Sequence, residues 1–170
     1  MAALTVEVMK RMVLDSRWND KARKRKYAVE DYITIQRIED VACMQNDKCF
    51  YCGEDFDYNV ASRNDRDACT LERVDEKEAH TIENCILVCA YCNNARQDKT
   101  YEEMLEKAAD MKSGAIKYCW ACDTWFSREE NAFTKSKGTH DGLSRLCRQC
   151  NNTRCKAHYA ARKLKKLALE

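Results

Sequence analysis

Cysteine is the residue type whose number and spacing in this chain point most directly to chemistry. The 170 residues include twelve cysteines, and eight of them form four Cys-x-x-Cys pairs: Cys49/Cys52, Cys89/Cys92, Cys119/Cys122 and Cys147/Cys150. Four thiolates supplied as two close pairs suit a tetrahedral structural Zn²⁺. The spacing therefore predicts two structural zinc sites, each built from two successive pairs. The other four are predicted to be small buried hydrophobic side chains: Cys43, Cys69, Cys85 and Cys155.

Composition limits the kind of protein that can carry these sites. Charged residues make up 34% of the chain and aromatic residues 9%, so one large hydrophobic core is not expected. The first residues lack the basic start and continuous apolar segment of a signal peptide, and no apolar run is long enough to span a membrane. We therefore expect reduced, metal-binding cysteines in an intracellular compartment, cytoplasm or nucleus, and no membrane partner.

The elements between the pairs must bring distant cysteines together. Cys49–Cys52 with Gly53 indicates a tight turn, residues 70–74 and 82–88 have the pattern of strands, and Cys89–Cys92 opens a helix. The same order recurs in the last third of the chain. A turn, a hairpin and a second pair at a helix start describe a treble-clef zinc finger. We predict a small α+β fold of two tandem treble-clef-like zinc modules (ββα) with flanking helices.

Three segments follow from this pattern. Residues 1–46 are predicted to form an N-terminal helical, basic segment, in which Thr34 caps the second helix. Residues 47–113 are predicted to form the first zinc module, with a trailing helix that Thr100 caps. Residues 114–170 are predicted to form the second zinc module, which ends in a basic helix.

Positive charge is concentrated at the two ends of the chain, although the net charge is only +2. An amphipathic helix predicted over residues 4–14 runs into the first basic cluster, and the second basic cluster begins at residue 145. Such clusters can grip phosphates, or they can be solvated helix faces. We predict nucleic-acid contacts at Lys21, Arg23, Lys24, Arg25, Lys26, Arg96, Arg145, Arg148, Arg154, Lys156, Arg162 and Lys163.

A zinc ion held by four cysteines has no open coordination position, so reactive groups must lie on the scaffold around it. The first module offers five candidates: Glu72, Asp75, His80, Asn84 and Asn93. A carboxylate and an amide that face each other across a hairpin and a helix can hold Mg²⁺ or Mn²⁺ through oxygen. A divalent cation beside an arginine would neutralise a scissile phosphate.

Residues 49–99 carry an ordered set of motifs. These are Cys49-x-x-Cys52, Leu71-Glu72-Arg73-Val74-Asp75, Glu83-Asn84, and Cys89-x-x-Cys92-Asn93-x-x-Arg96-x-Asp98-Lys99. Together they resemble the HNH (ββα-metal) endonuclease family, and most closely its zinc-stabilised members from phages and large DNA viruses. The resemblance covers about residues 34–105. It implies a protein that cuts or nicks DNA with one divalent metal, and so favours DNA as the partner.

The resemblance also implies roles for individual residues. Glu72 matches the acidic metal ligand, Asn84 the asparagine that orients the base, and Asn93 the final metal-binding position. The general-base histidine of the family falls on Arg73, and an arginine stays protonated at physiological pH and cannot accept a proton. Three possibilities stay open: Asp75 or His80 takes the proton, the metal activates water without a dedicated base, or the site is degenerate.

The second module has a less specific set of motifs over residues 118–159. Cys119-x-x-Cys122, a Phe133-x-Lys135-x-Lys137 stretch and Cys147-x-x-Cys150 resemble zinc-binding segments beside phage nucleases, including the endonuclease VII-like group. This implies a module that grips DNA or is structural. The whole chain is thus predicted to be a zinc-stabilised HNH-type endonuclease. The alternative is a catalytically degenerate zinc module that binds nucleic acid or protein within a larger assembly, such as a viral one.

Overall fold

In the computed structural model, residues 4–58, 65, 67–137, 139 and 141–167 are described, with side chains of the last helix described through residue 162. These residues form a small α+β protein of five α-helices and three two-stranded antiparallel sheets. The chain divides into two compact units, Met1–Ser113 and Gly114–Glu170. Residues 1–46 thus belong to the same unit as the first four paired cysteines. Within the described residues, no helix has the length and apolar character needed to cross a membrane.

Two helices begin the first unit. Helix α1 (Val6–Ala22) extends well beyond the predicted 4–14 and includes the start of the basic cluster. Helix α2 (Ile35–Met44) begins as predicted at Thr34, whose hydroxyl accepts the backbone N–H of Arg37 at 3.1 Å. Both helices pack against the hairpin that follows them.

The hairpin of the first unit consists of β1 (Cys69–Arg73) and β2 (Cys85–Cys89), paired so that Cys69 lies opposite Cys89. Strand β2 begins at Cys85 rather than at residue 82. The reason is that the Ile82 N–H donates to the carbonyl of Asp31 and the Asn84 N–H to the carbonyl of Thr81, at 2.8 and 3.1 Å. These two N–H groups are therefore not available for the strand ladder.

Two further helices complete this unit. Helix α3 (Ala90–Arg96) begins directly after β2. Helix α4 (Tyr101–Lys112) has the predicted Thr100 cap, and the Glu103 carboxylate in turn accepts the backbone N–H of Thr100. The hydrophobic core lies between the helices and the hairpin. Its most deeply buried side chains are Met9, Ile33, Ile38, Tyr51, Leu87, Val88 and Met104.

The second unit contains two hairpins where the sequence indicated one. Strands β3 (Ile116–Cys119) and β4 (Thr124–Ser127) form the first, and β5 (Phe133–Lys135) and β6 (Leu143–Cys147) form the second. Helix α5 (Arg148–Leu167) follows β6 without a break. The three-residue length of β5 explains why its strand pattern is not visible in the sequence.

The prediction for the unpaired cysteines is wrong for two of the four. Cys85 is buried and Cys69 is half-buried, but Cys43 and Cys155 are exposed. Cys43 lies on α2, whose buried residues are Ile38, Val41 and Ala42, so its side chain is not on the core face.

Candidate functional site

The first four paired cysteines converge on one point of the first unit. One sulfur each from Cys49, Cys52, Cys89 and Cys92 lies within 4.8 Å of all the others, and all four residues are buried. The Sγ atoms of Cys52 and Cys89 are 3.8 Å apart. A tetrahedron with Zn–S bonds of about 2.3 Å has edges of about 3.8 Å, so the spacing fits this ion.

The backbone around this first tetrad is shaped by the Cys-x-x-Cys turn. Gly53 has φ of +73°, and its N–H donates to the carbonyl of Cys49 at 2.9 Å. The N–H of Cys89 donates to Sγ of Cys49 at 3.3 Å. Hydrogen bonds from the side chains of the other three cysteines hold the pKa of Cys49 far below its ordinary value. Hydrogen bonds to Cys49 and Cys52 raise the pKa of Cys89, and burial raises that of Cys92, so the lowered pKa belongs to Cys49 and is not shared by the tetrad.

The second tetrad has the same chemistry in the second unit. One sulfur each from Cys119, Cys122, Cys147 and Cys150 lies within 4.8 Å of the others, and the Sγ atoms of Cys122 and Cys147 are 3.9 Å apart. The N–H of Cys147 donates to Sγ of Cys119 at 3.3 Å. Unlike the first tetrad, this one includes an exposed residue, Cys122. The chain therefore has two tetrads that can each hold a metal ion.

Glu72, the predicted acidic metal ligand, is paired with a buried arginine. It is 9% exposed, and one carboxylate oxygen lies 3.3 Å from Nη1 of Arg96. Burial raises the pKa of Glu72, and the positive charge of Arg96 opposes that rise. Arg96 also donates to the backbone carbonyls of Arg73, Val74 and Lys99. It is 3% exposed, so its guanidinium joins β1 to α3 and does not face a phosphate in solvent.

Asn84 and Asp75 both lie in the turn between β1 and β2. The side-chain oxygen of Asn84 accepts the Asp75 N–H at 2.7 Å, and its amide donates to the carbonyls of Asp75 and Ala79 at 2.9 Å each. The carboxylate of Asp75 is exposed and accepts the N–H of Lys77 at 2.9 Å. Asn84 therefore holds the turn, while Asp75 stabilises its tip.

Arg73 occupies the position of the missing histidine and is also engaged with this turn. Its Nη1 donates to the carbonyls of Glu76 and Glu78, at 2.7 and 3.3 Å. The arginine thus keeps a positive charge fixed beside the turn that leads to His80.

His80 is held by Asp20, a residue that no sequence motif identifies. Its Nδ1 and its backbone N–H both lie 2.9 Å from Oδ2 of Asp20, which is fully buried. The hydroxyl of Tyr32 donates to the same oxygen at 2.9 Å, and Nη1 of Arg25 lies 3.3 Å from Oδ1. Asp20 shares the buried face of α1 with Met9 and Ser16, at helical spacing, and this periodicity is the signal that could have identified it.

Burial and pairing affect the two ionisable groups in opposite ways. Burial would raise the pKa of Asp20, but hydrogen bonds from His80 and Tyr32 outweigh it and lower the pKa below its usual value. Burial lowers the pKa of His80, and the neighbouring Asp20 only partly compensates. At neutral pH the pair is therefore a carboxylate and an uncharged imidazole.

A cleft of about 380 Å³ with both polar and apolar lining lies between α1, β1 and α3, and His80 is one of the lining residues. Arg11 and Asn19 line it from α1, Thr70 from β1 and Asn93 from α3. The amide of Asn93 donates to Oγ1 of Thr70 at 3.0 Å. Of the five candidates and Arg73, the cleft brings together His80 and Asn93. The other four do not line it: Glu72, Arg73, Asp75 and Asn84.

The residues predicted to bind Mg²⁺ or Mn²⁺ make other contacts in the fold. Among the described residues, the groups of three or more His, Cys, Asp or Glu that can share an ion are the two cysteine tetrads. The carboxylate of Glu72 is paired with Arg96, and Asn93 hydrogen-bonds to Thr70. A hard divalent cation would therefore compete with Arg96 for the Glu72 carboxylate.

The predicted nucleic-acid residues are mostly exposed. The exceptions in the first unit are Arg96 and Arg25, which is half-buried against Asp20. In the second unit, Arg148 is exposed but donates to the backbone and side-chain oxygens of Asn131. The side chain of Lys163 lies outside the described residues. The remaining exposed positions are Lys21, Arg23, Lys24, Lys26, Arg145, Arg154, Lys156 and Arg162.

Comparisons with protein-family models, with curated proteins and with solved structures found no match to this chain. The resemblance to HNH endonucleases thus depends on the motif residues alone. The features of the chain that bear on function are the tetrads, the cleft and the distribution of charge.

Proposed function

We propose that this chain is a zinc-stabilised HNH-type endonuclease that hydrolyses phosphodiester bonds in DNA. The observation that supports it is a buried histidine, His80, which is held at Nδ1 by Asp20 and lines a cleft that also contains Asn93. Arg73 cannot act as a base, and His80 supplies the missing chemical group. Asp75, the other candidate, is exposed outside the cleft and engaged with the N–H of Lys77.

In this proposal both tetrads hold Zn²⁺ in a structural role. Four sulfur ligands leave no position for water, so the ions stabilise the two units and take no part in the reaction. The first zinc fixes the start of α3, which carries Asn93, relative to the hairpin.

The proposed reaction consumes one water molecule at the cleft. His80 takes one proton from the water as its oxygen forms a bond to phosphorus. The bond from phosphorus to the leaving oxygen breaks, and that oxygen takes a proton from solvent. His80 then returns its proton to solvent. Arg11 and the amide of Asn93 line the cleft and can contact the phosphate oxygens.

Plasmid nicking by the full chain tests this proposal. Supercoiled DNA is incubated with the zinc-loaded protein, alone and with Mg²⁺ or Mn²⁺, and conversion to open circles is followed. We expect His80→Gln to reduce the rate by about 10²–10⁴-fold, the usual contribution of a general base. His158→Gln, at an exposed histidine of α5, is the matched control and should nick at the wild-type rate. Wild-type protein that leaves every DNA form intact under all these conditions would contradict the proposal.

A second candidate function is nucleic-acid binding without cleavage. Its specific support is the ion pair that occupies Glu72, together with the exposed basic residues of both units. In this case the protein binds DNA, the affinity falls steeply with salt, and no metal restores nicking. Fluorescence anisotropy with a labelled duplex over a salt series, run beside the nicking assay, separates the two functions.

A further inference from the structure

We propose that Asp20 of α1 is the positioning residue for His80, so that the N-terminal helix is an integral part of the catalytic cleft. This inference rests on the proposed function, because it assigns His80 as the base. It adds a residue, a tautomer and a role for α1 that the motif resemblance does not include. Asp20 itself does not line the cleft and acts through His80.

The geometry at Asp20 determines which ring nitrogen of His80 carries the proton. An ionised carboxylate has no proton to donate, so Nδ1 of His80 must donate to Oδ2 across their 2.9 Å separation. The same oxygen accepts the backbone N–H of His80, which fixes both the ring and its attachment to the chain. In the neutral imidazole, Nε2 then carries the lone pair.

Nε2 is available for a ligand. Within the described part of the chain, Nδ1 is the ring nitrogen of His80 that makes a hydrogen bond. His80 lines the cleft and its Nδ1 is taken by Asp20, so we assign Nε2 as the acceptor for a water molecule or a hydroxyl group in the cleft. A buried carboxylate that holds the far side of a histidine is the arrangement that sets tautomer and orientation in other hydrolases.

Burial lowers the pKa of His80, Asp20 raises it, and Arg73 and Arg25 lower it. Arg11 and Asp15 line the same cleft from α1. Three charged residues act on His80: Asp20 from α1, Arg25 from the segment after α1, and Arg73 from β1. The Tyr32 hydroxyl donates a hydrogen bond to Asp20. Arg25 and the Tyr32 hydroxyl stabilise Asp20 as a carboxylate. Arg73 disfavours a second positive charge on the imidazole. The arginine at the position of the missing base therefore helps to keep His80 unprotonated.

The first test does not depend on activity. Long-range ¹H–¹⁵N NMR spectra of the zinc-loaded full chain report the tautomer of each imidazole, and the His158→Gln and His140→Gln variants assign the signals. We expect wild-type His80 at pH 8 to be the Nδ1–H tautomer. Asp20→Asn should abolish that preference. Tyr32→Phe, which removes a bond to Asp20 but not the one to His80, should keep it.

Two outcomes would overturn the inference. One is an Nε2–H tautomer in the wild type, and the other is an equal response to Asp20→Asn and Tyr32→Phe, which would make Asp20 a packing residue only. Zinc content and circular dichroism show whether each variant is folded. If Asp20→Asn does not fold, Asp20→Glu is measured instead. Because Asp20→Glu retains a carboxylate, we expect the Nδ1–H tautomer of His80 in that variant.

The second test uses the rate. Asp20→Asn should lower nicking by about 10²–10⁴-fold, as for a lost orienting carboxylate, and shift the acidic limb of the pH profile to lower pH. Asp110→Asn, at an exposed position of α4, should change neither the nicking rate nor the pH profile. If Asp20→Asn nicks DNA at the wild-type rate and its pH profile is not shifted, Asp20 is not a positioning residue for His80. An inactive wild type with the expected tautomer would contradict the proposed function but leave the positioning intact.

Discussion

The two cysteine tetrads have the same ligands at the same pair spacing but differ in enclosure. In the first, the exposed fractions of Cys49, Cys52, Cys89 and Cys92 run from 0 to 8%. In the second, Cys119 and Cys147 are buried, Cys150 is half-buried and Cys122 is exposed. Spacing alone therefore determines that a metal site can form, while the surrounding elements determine how well water is kept away from it.

The difference follows from what each unit packs around its tetrad. The first unit encloses its sulfurs with a hairpin and helices that share one core. The second has a small buried cluster, Cys119, Phe133, Leu146 and Cys147, in which two of the four members are ligands themselves. We infer that metal binding supplies a larger share of the folding free energy in the second unit.

Loss of one ligand is expected to have the largest effect. Binding of a structural zinc is worth about 10–16 kcal/mol at pH 7, so Cys92→Ser should abolish the first site and prevent cooperative unfolding of that unit. Cys122→Ser should do the same to the second unit. Zinc per chain, measured by elemental analysis, should fall from two to one in either variant. Cys43→Ser, at an exposed cysteine outside the tetrads, should keep both ions. Full zinc content in Cys92→Ser would refute the assignment.

Chelation should separate the two sites kinetically. Because Cys122 is exposed, a chelator can reach the second ion directly, and its release should be faster by tenfold or more, which corresponds to about 1.4 kcal/mol in the barrier. Release into a colorimetric zinc indicator should therefore show two phases. Cys122→Ser should remove the fast phase and Cys52→Ser the slow one. A single phase in the wild type would mean that enclosure does not control release.

Much of this architecture could be predicted from local sequence signals. The Cys-x-x-Cys pairs identify both tetrads, and the caps at Thr34 and Thr100 identify two helix starts, because these signals act within one turn of chain. The pair between Asp20 and His80 joins residues 60 positions apart, and Arg96 reaches Glu72 from another element. Helical periodicity could have placed Asp20 on the buried face of α1, but the identity of its partner depends on tertiary packing and is not visible in a local pattern.

Buried ion pairs provide a third comparison of the units. Lys117 is 1% exposed and pairs with Asp141, which also accepts from Arg128 at 3.0 Å. Asp141→Asn removes the carboxylate that Lys117 and Arg128 share and should cost about 3–5 kcal/mol. Glu72→Gln should cost less, about 1–3 kcal/mol, because Arg96 keeps three backbone carbonyl partners.

Chemical denaturation of each variant, with Asp110→Asn as the exposed control, measures these costs. A larger loss from Glu72→Gln than from Asp141→Asn would reverse the inferred order. It would mean that the Glu72 carboxylate does more in the first unit than neutralise Arg96.

The smallest expected effect is a pH dependence confined to the first unit. The folded state lowers the pKa of both Asp20 and His80, so each contributes stability that is present above its unfolded pKa. The contribution of His80 is complete above about pH 6.5 and is lost as the pH falls through its folded value. His80→Gln should therefore lose less stability than the wild type between pH 7.5 and 5.5. Zinc release by acid is common to both proteins and cancels in the difference. Parallel stability curves would show that His80 is not held in its uncharged form by the fold.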